Sequence, residues 1–128
     1  MLRSRDIVYG LLFLFFATEA AGENALDVVN RQRAACNRGS LVIDPYLQAA
    51  AEYKASLAAR RRHRGHLGGS LYGANYEGIG YGSQKRFRAC YLYTAPKGTR
   101  CGAAMVRGSD GLWYCCLLVR SRLRIRPK

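Results

Sequence analysis

The sequence predicts an α+β protein, and three stretches support this prediction. Two segments in the first half have the apolar spacing of amphipathic helices. Near the end, two apolar runs surround the turn sequence GSDG, which predicts a β-hairpin. The chain has 128 residues, and this length favours one folded domain.

The first predicted helix runs from Asn24 to Asn37, where apolar residues recur at nearly helical spacing. Asn24 has the chemistry of an N-cap, and Asp27, three residues later, can complete a capping box. The sequence NRGS follows, and its glycine stands where helices commonly end.

The second predicted helix lies within Leu41 to Arg62, after a short extended piece. Asp44 is the expected N-cap and Pro45 the first helical residue, because proline suits the first turn. The residues expected to line its packed side are Leu47, Ala50, Ala51, Ala55 and Ala58. Small alanine side chains would let another element pack closely.

A glycine-rich loop is predicted next, from Gly65 to Gly82, and loops of this length are often functional. Ser83 is placed to cap a short third helix through QKRFRACYLY, although CYLY would also suit a strand.

The closing hairpin is predicted from CGAAMVRG and LWYCCLLVR around Gly108 to Gly111. Within a strand, Cys115 and Cys116 must point to opposite faces.

The N-terminus has the pattern of an export signal. A basic start precedes the apolar run IVYGLLFLFFA, which is followed by small residues. We therefore expect a signal peptide at 1–21, a domain at 22–120 and a basic tail at 121–128, in a protein that is secreted or periplasmic. An uncleaved anchor is the alternative, but a membrane span needs about 20 apolar residues.

Export changes the interpretation of the five cysteines, because disulfides persist outside the cytoplasm. The candidate pairings are Cys90 with Cys101, and Cys36 with Cys115 or Cys116. Connectivity cannot be deduced from spacing. The lack of a C-x-x-C pair disfavours a zinc knuckle.

The formal charge of +13 is unchanged if residues 1–21 are removed, since they hold two basic and two acidic residues. A field of this sign attracts nucleic acid, acidic polysaccharide or an anionic membrane surface. The simpler interpretation is solubility with non-specific binding.

The candidate site residues are His66 and Glu77. His63 and His66 form an H-x-x-H pair that could share zinc with Glu77, but the surrounding glycines argue against a rigid helix there. Glu77 could instead hold the loop through hydrogen bonds. GIGYGS lacks the strand–helix setting of a phosphate loop, and no serine has a G-x-S-x-G setting.

The order of these stretches resembles the CAP superfamily, the SCP-like domain of cysteine-rich secretory and plant pathogenesis-related proteins, in its short exported bacterial form. VVNRQRAACNRGSLVIDPYLQAAAEYKASLAA resembles the family opening through Asn30, Arg33, Leu41, Leu47, Ala50 and Ala51. GHLGGSLYGANYEGIGYGS resembles the family's histidine followed by a glutamate, at His66 and Glu77. CGAAMVRGSDGLWYCCLLV resembles the closing hairpin.

The resemblance implies a small α-β-α sandwich, with helices packed on an antiparallel sheet. It also implies a cleft of two histidines and two glutamates that binds a divalent metal in some members. Here no histidine or glutamate follows Glu77, so half of the cleft is missing.

From these features we expect an exported, non-enzymatic domain that binds an anionic ligand or cell-envelope partner near His66 and Glu77. The alternatives are a metal-assisted hydrolase using His66 and Glu77 with zinc or calcium, and a basic secreted protein that binds nucleic acid or membranes.

Overall fold

The computed structural model of the protein describes residues 24–88 and 91–121. The expected signal peptide and nearly all of the predicted tail lie outside these residues. In chain order the elements are α1 (Ala25–Ala35), β1 (Val42–Ile43), α2 (Pro45–Arg61), β2 (Tyr76–Gly82), α3 (Tyr91–Thr94), β3 (Arg100–Arg107) and β4 (Trp113–Arg120). The predicted α+β class is confirmed. No helix in the described residues is both long and apolar enough to cross a membrane.

The four strands form one sheet in the order β1-β3-β4-β2. β4 is antiparallel to both β2 and β3, and β3 and β4 form the predicted hairpin around Gly108 to Gly111. The sheet is mixed rather than antiparallel throughout, because β1 pairs with β3 in parallel. The chain between the two long helices runs beside the start of β3, and the Asp44 N–H donates to the Cys101 carbonyl at 2.8 Å.

The helices cover the two faces of this sheet and give the three layers of the expected α-β-α sandwich. Strand side chains alternate between faces, so Cys115 packs on the α1 side and Cys116 on the α2 side, as predicted. The α1-side core contains Val28, Val29, Leu41, Phe87, Leu92, Cys101, Ala103, Cys115, Leu117 and Val119. The α2-side core contains Leu47, Ala50, Ala51, Ala55, Ala104, Cys116 and Leu118.

The start of α1 is capped as the sequence predicts. The Asp27 N–H donates to Asn24 Oδ1 at 2.9 Å, and the Asn24 N–H donates to Asp27 Oδ2 at 3.2 Å. The helix end differs from the expectation, because the left-handed residue there is Asn37, with φ of 58°, rather than the glycine. Asparagine tolerates this conformation better than most residues.

α2 lies unusually close to the sheet, and one glycine permits this. Asp44 caps the helix by accepting from the N–H groups of Tyr46 and Leu47, and Pro45 opens it as predicted. A Cβ at Gly102 would collide with the carbonyl of Leu47. The alanine side of α2 continues this close packing, and the five predicted residues are all buried.

The prediction of a continuous loop from Gly65 to Gly82 is wrong in its second half, because Tyr76–Gly82 forms β2. The glycines of this strand face the α1 side, where the chain passes close by. An added Cβ on Gly80 would stand 3.8 Å from the backbone nitrogen of Arg88. The helix expected after Ser83 does not form through residues 84–88, and only the single turn α3 follows.

Candidate functional site

Glu77 lies at the centre of the candidate site. It is the second residue of β2, its side chain points to the α2 face, and only 4% of that side chain is exposed. The carboxylate oxygen Oε1 lies 2.6 Å from His66 Nδ1. The other oxygen, Oε2, forms an ion pair with Lys54 Nζ. The structure therefore brings together the two residues predicted from sequence and adds a third.

Lys54 is the site residue that was not predicted from the sequence. It lies on α2 with 3% of its side chain exposed, and its ammonium also donates to the Ser70 carbonyl at 3.0 Å. The Tyr72 ring centroid is 5.8 Å from Nζ, within the range of a cation–π contact. Lys54 thus joins the helix, the strand and the intervening loop.

Lys54 and Glu77 form a buried ion pair. The Lys54 ammonium lies against Glu77 Oε2, and both side chains are almost completely buried. Burying a lone carboxylate or ammonium is costly, whereas a compensated pair is tolerated. The two charges therefore depend on each other.

His66 is the exposed member of the group, with 64% of its side chain accessible. Its ring nitrogen Nδ1 meets Glu77, so the carboxylate orients the ring. His63 does not join it in a shared site, because His63 Nε2 contacts the backbone carbonyl of His66 at 3.0 Å. The H-x-x-H pair therefore closes a local turn rather than presenting two rings to one ion.

This arrangement fits a zinc or calcium ion poorly. Both carboxylate oxygens of Glu77 already face a nitrogen, and one of these belongs to a buried ammonium. Within residues 24–88 and 91–121, no cluster of three histidine, cysteine, aspartate or glutamate side chains could hold a metal. Structural zinc sites use four ligands and catalytic ones three. We derive no metal-dependent step from this site.

Basic residues surround Tyr81 at the adjoining end of the sheet. The guanidinium of Arg64 lies 5.0 Å from the centroid of the Tyr81 ring. Arg86 and Arg88 line a small recess of about 40 Å³ beside the same tyrosine. Arg62 donates to Ser109 Oγ at 3.2 Å in the hairpin turn. We call the surface formed by Arg64, Arg86 and Arg88 around Tyr81 the Tyr81 patch.

The described carboxylates are all engaged within the fold. Asp27 caps α1, Asp44 caps α2, and Glu52 accepts from Gln48 Nε2 at 3.1 Å. Asp110 accepts from the Tyr114 hydroxyl at 2.6 Å, and this bond lowers the pKa of Asp110. Glu77 is neutralised by Lys54. The charge of Arg62 also lowers the pKa of Asp110, whereas no described carboxylate forms an ion pair with Arg64, Arg86 or Arg88.

The described cysteines form no disulfide bonds, although export would favour them. Cys36, Cys101, Cys115 and Cys116 are free thiols, and all but Cys36 are buried. Burial raises the pKa of Cys115 to about 11 and the pKa of Cys101 and Cys116 to about 12, so the buried three are poor nucleophiles at neutral pH. The candidate partner Cys90 lies outside the described residues.

The sequence matches no protein-family model and no characterised protein. The CAP resemblance therefore stays a prediction, and a function must be argued from the geometry of this chain alone.

Proposed function

We propose that this protein is an exported, non-enzymatic binding domain of CAP-like type, and that its Tyr81 patch binds an anionic polymer. A cell-envelope polymer is the partner that export would favour. The observation that supports this most strongly is that every described carboxylate has a partner elsewhere in the fold, so Arg64, Arg86 and Arg88 form no ion pair among the described residues. Such a surface attracts polyanions through counterion release and the summed field.

The buried Lys54–Glu77 pair supports the fold on the strand that also carries Tyr81. Glu77 would weaken the positive field if its charge were free, but Lys54 compensates it inside the protein. Lys54 also holds the carbonyl of Ser70, in the loop that carries His66. The pair therefore shapes the loop and keeps a negative charge off the surface.

The proposal is tested with inorganic polyphosphate as the probe and neutral dextran as the comparison. The patch variant carries Arg64→Gln, Arg86→Gln and Arg88→Gln, all at exposed positions. We expect its affinity for polyphosphate to fall by about tenfold or more at low salt. The slope of log K against log salt should also decrease by about two to three, because fewer counterions are released.

A matched control removes the same charge from the other end of the sheet, through Arg38→Gln, Lys97→Gln and Arg100→Gln. These positions are also exposed. We expect the affinity of this control for polyphosphate to fall by less than about threefold, since charges farther from the bound polymer than the Debye length are screened. Equal losses in the two triple variants would show non-specific attraction and would contradict a defined binding surface.

A hydrolase is the second candidate, and the His66–Glu77 contact favours it. An exposed imidazole held at 2.6 Å by a buried carboxylate is a suitable general base. A hydrolase would lose its activity on substitution of both residues by alanine, whereas a charge-driven binder should retain most of its affinity for polyphosphate. Hydrolysis of ester substrates by the purified protein that disappears in His66→Ala would establish the enzyme instead.

A further inference from the structure

A second candidate site lies at the open edge of β3, away from Glu77. A cleft of about 460 Å³ runs along this edge, within the usual volume of small-molecule sites. Its floor is the strand from Ala104 to Val106. The residues around the floor are Asn24 and Ala25 at the start of α1, Gln48, Glu52 and Ser56 of α2, and Lys85 and Trp113.

The edge is open because β1 covers only the first two residues of β3. Backbone groups along a strand alternate between its two sides. The Cys101 carbonyl faces β1, since it accepts from Asp44. By the same alternation, the N–H and C=O of Ala103 and Met105 also point away from β4. No described strand pairs with β3 at Met105 on that side.

The side chain of Gln48 shows what kind of group completes this edge. Its amide donates to the Ala103 carbonyl at 2.8 Å and accepts from the Ala103 N–H at 2.9 Å. A planar group with an adjacent donor and acceptor therefore fits one position of the edge. Met105 offers the same donor and acceptor one repeat further along, about 7 Å away.

The end of the cleft adds an aromatic ring and positive charge. Lys85 Nζ lies 4.6 Å from the centroid of the Trp113 ring, and the Arg107 guanidinium lies 6.0 Å from it. Tryptophan faces stack well on nucleobases, and these cations suit a phosphate. The carboxylate of Glu52 adds an acceptor for an exocyclic amino group.

We propose that this cleft binds a nucleotide with an amino-bearing base, either free or as one unit of a nucleic-acid strand. The base edge pairs with the backbone of Met105 as the Gln48 amide pairs with Ala103. The ring lies against Trp113, and the phosphate contacts Lys85 and Arg107. This inference goes beyond the proposed binding of anions at the Tyr81 patch, because it names a ligand class and a second surface.

The test uses Trp113 as its reporter, because it is the only tryptophan of the chain. Adenosine monophosphate should quench the fluorescence of the full-length protein in a saturable manner. Ribose 5-phosphate carries the same phosphate without a base, and we expect it to bind at least about tenfold more weakly, since stacking on an aromatic ring contributes about that much. An equal affinity for the two compounds would overturn the inference and leave the binding of anions standing.

Variants separate the three parts of the cleft. Lys85→Ala with Arg107→Ala should weaken the binding of adenosine monophosphate about tenfold, whereas Lys97→Ala, at the opposite end of β3, should have little effect. Met105→Pro removes the outward N–H, which an edge position tolerates, together with a side chain that packs against the α1-side core. Met105→Ala removes the side chain alone and should keep its affinity, whereas Met105→Pro should abolish binding with the circular dichroism spectrum unchanged. Retained affinity in Met105→Pro would overturn the proposed base contact.

The source of the nucleotide is distinguished with oligodeoxyadenylate. Tighter binding of the oligomer than of the mononucleotide, with the same quenching, supports the site and indicates a strand, whereas equal affinity supports it and indicates a free nucleotide. Absence of quenching by both would overturn the inference. So would sedimentation that shows a dimer disrupted by Met105→Pro, because the edge would then pair with a second copy. Polyphosphate binding, measured in parallel, reports separately on the proposed function.

Discussion

Arg33 and Lys54 are buried cations on opposite faces of the sheet, and their partners differ in charge. Arg33 of α1 is fully buried and donates to the carbonyls of Gly39, Leu92 and Ala95 at 2.8, 2.5 and 2.7 Å. Lys54 of α2 forms an ion pair with Glu77. One cation is held by neutral dipoles and the other by an opposite charge.

The buried cation on each face of the sheet is therefore compensated in a different way. Burial, and to a lesser extent the nearby Arg38, lowers the pKa of Arg33, because carbonyls compensate its charge only in part. The α1 face needs the forked geometry of a guanidinium, which reaches three acceptors at once. The α2 face needs a balance of charge, so Lys54 and Glu77 can be replaced together but not singly.

The largest expected effect is on the α1 face. Arg33→Met should lower the free energy of unfolding by about 3–6 kcal/mol, because three carbonyls lose their donor and two of these bonds are buried. Arg33→Lys keeps the charge but cannot make the same three bonds, and it should remain strongly destabilised. Urea denaturation measures both variants, and a stability of Arg33→Lys near that of the wild type would show that charge, rather than geometry, is needed.

The second prediction concerns the α2 face. Glu77→Gln should cost about 3–5 kcal/mol, because it leaves the Lys54 ammonium buried without a counter-charge. The double variant Lys54→Met/Glu77→Leu should recover most of that loss, since apolar pairs often replace buried ion pairs without penalty. A double-mutant cycle measured by urea denaturation, with Lys54→Met and Glu77→Leu as its single variants, tests this. Additive losses in the two single variants would contradict the coupling.

A smaller effect is expected from the close packing of α2. Gly102→Ala should cost about 1–3 kcal/mol, because the new Cβ would fall on the backbone of Leu47 and push the helix from the sheet. Gly82→Ala is the matched control, since a Cβ there would meet nothing within 4 Å. Thermal unfolding of both variants measures the difference, and equal losses would show that the approach of α2 does not depend on Gly102.

Alkaline pH should lower the free energy of unfolding, because buried thiols lie in the packing on both faces of the sheet. Burial raises the pKa of Cys115 to about 11 and of Cys101 and Cys116 to about 12. Above the ordinary thiol pKa of about 9, each thiol ionises in the unfolded chain but stays protonated in the folded protein. The free energy of unfolding therefore keeps its full value below about pH 9 and decreases as the pH rises above it. We expect a loss of about 1 kcal/mol per thiol near pH 10.

Substitution at Cys116 isolates one of these thiols on the α2 face. Cys116→Ala should show a shallower decline of stability between about pH 8 and about pH 10 than the wild type. The measurement is urea denaturation across this range, and an unchanged slope would show that the thiol does not contribute.

The smallest effect should come from the exposed member of the site. His66→Ala removes one part-buried contact with Glu77 from a side chain that is otherwise exposed, and it should change the free energy of unfolding by less than about 1 kcal/mol. A loss comparable to that of Glu77→Gln would show that His66, rather than Lys54, compensates the carboxylate.

Much of the fold could be predicted from local chemistry. Asn24 with Asp27, and Asp44 with Pro45, mark helix starts through caps that depend on a few neighbouring residues. The hairpin was predictable because Gly108 to Gly111 separates two apolar runs. β2 was missed because glycines alternate with Ile79 and Tyr81 along the strand. Glycine is common in loops, so this alternation does not resemble a typical strand pattern. The parallel strand β1 has two residues and no pattern of its own.

The candidate site was predicted only in part. His66 and Glu77 were identified through the family resemblance, and the structure places them in contact. Lys54 was missed, although it interrupts the alanine side of α2, four residues after Ala50 and four before Ala58. A lysine on a packed helix face needs a buried partner, and the position of Glu77 depends on the strand that the sequence did not reveal.

In our proposal the Lys54–Glu77 pair supports the fold, while the Tyr81 patch binds the partner. The most direct test is the affinity of Lys54→Met/Glu77→Leu for polyphosphate. This variant has the same net charge as the wild type and keeps every arginine of the patch. We predict an affinity within about threefold of the wild type, because the field of the patch is unchanged. A loss as large as that of the triple arginine variant, in a protein that is still folded, would contradict the proposal.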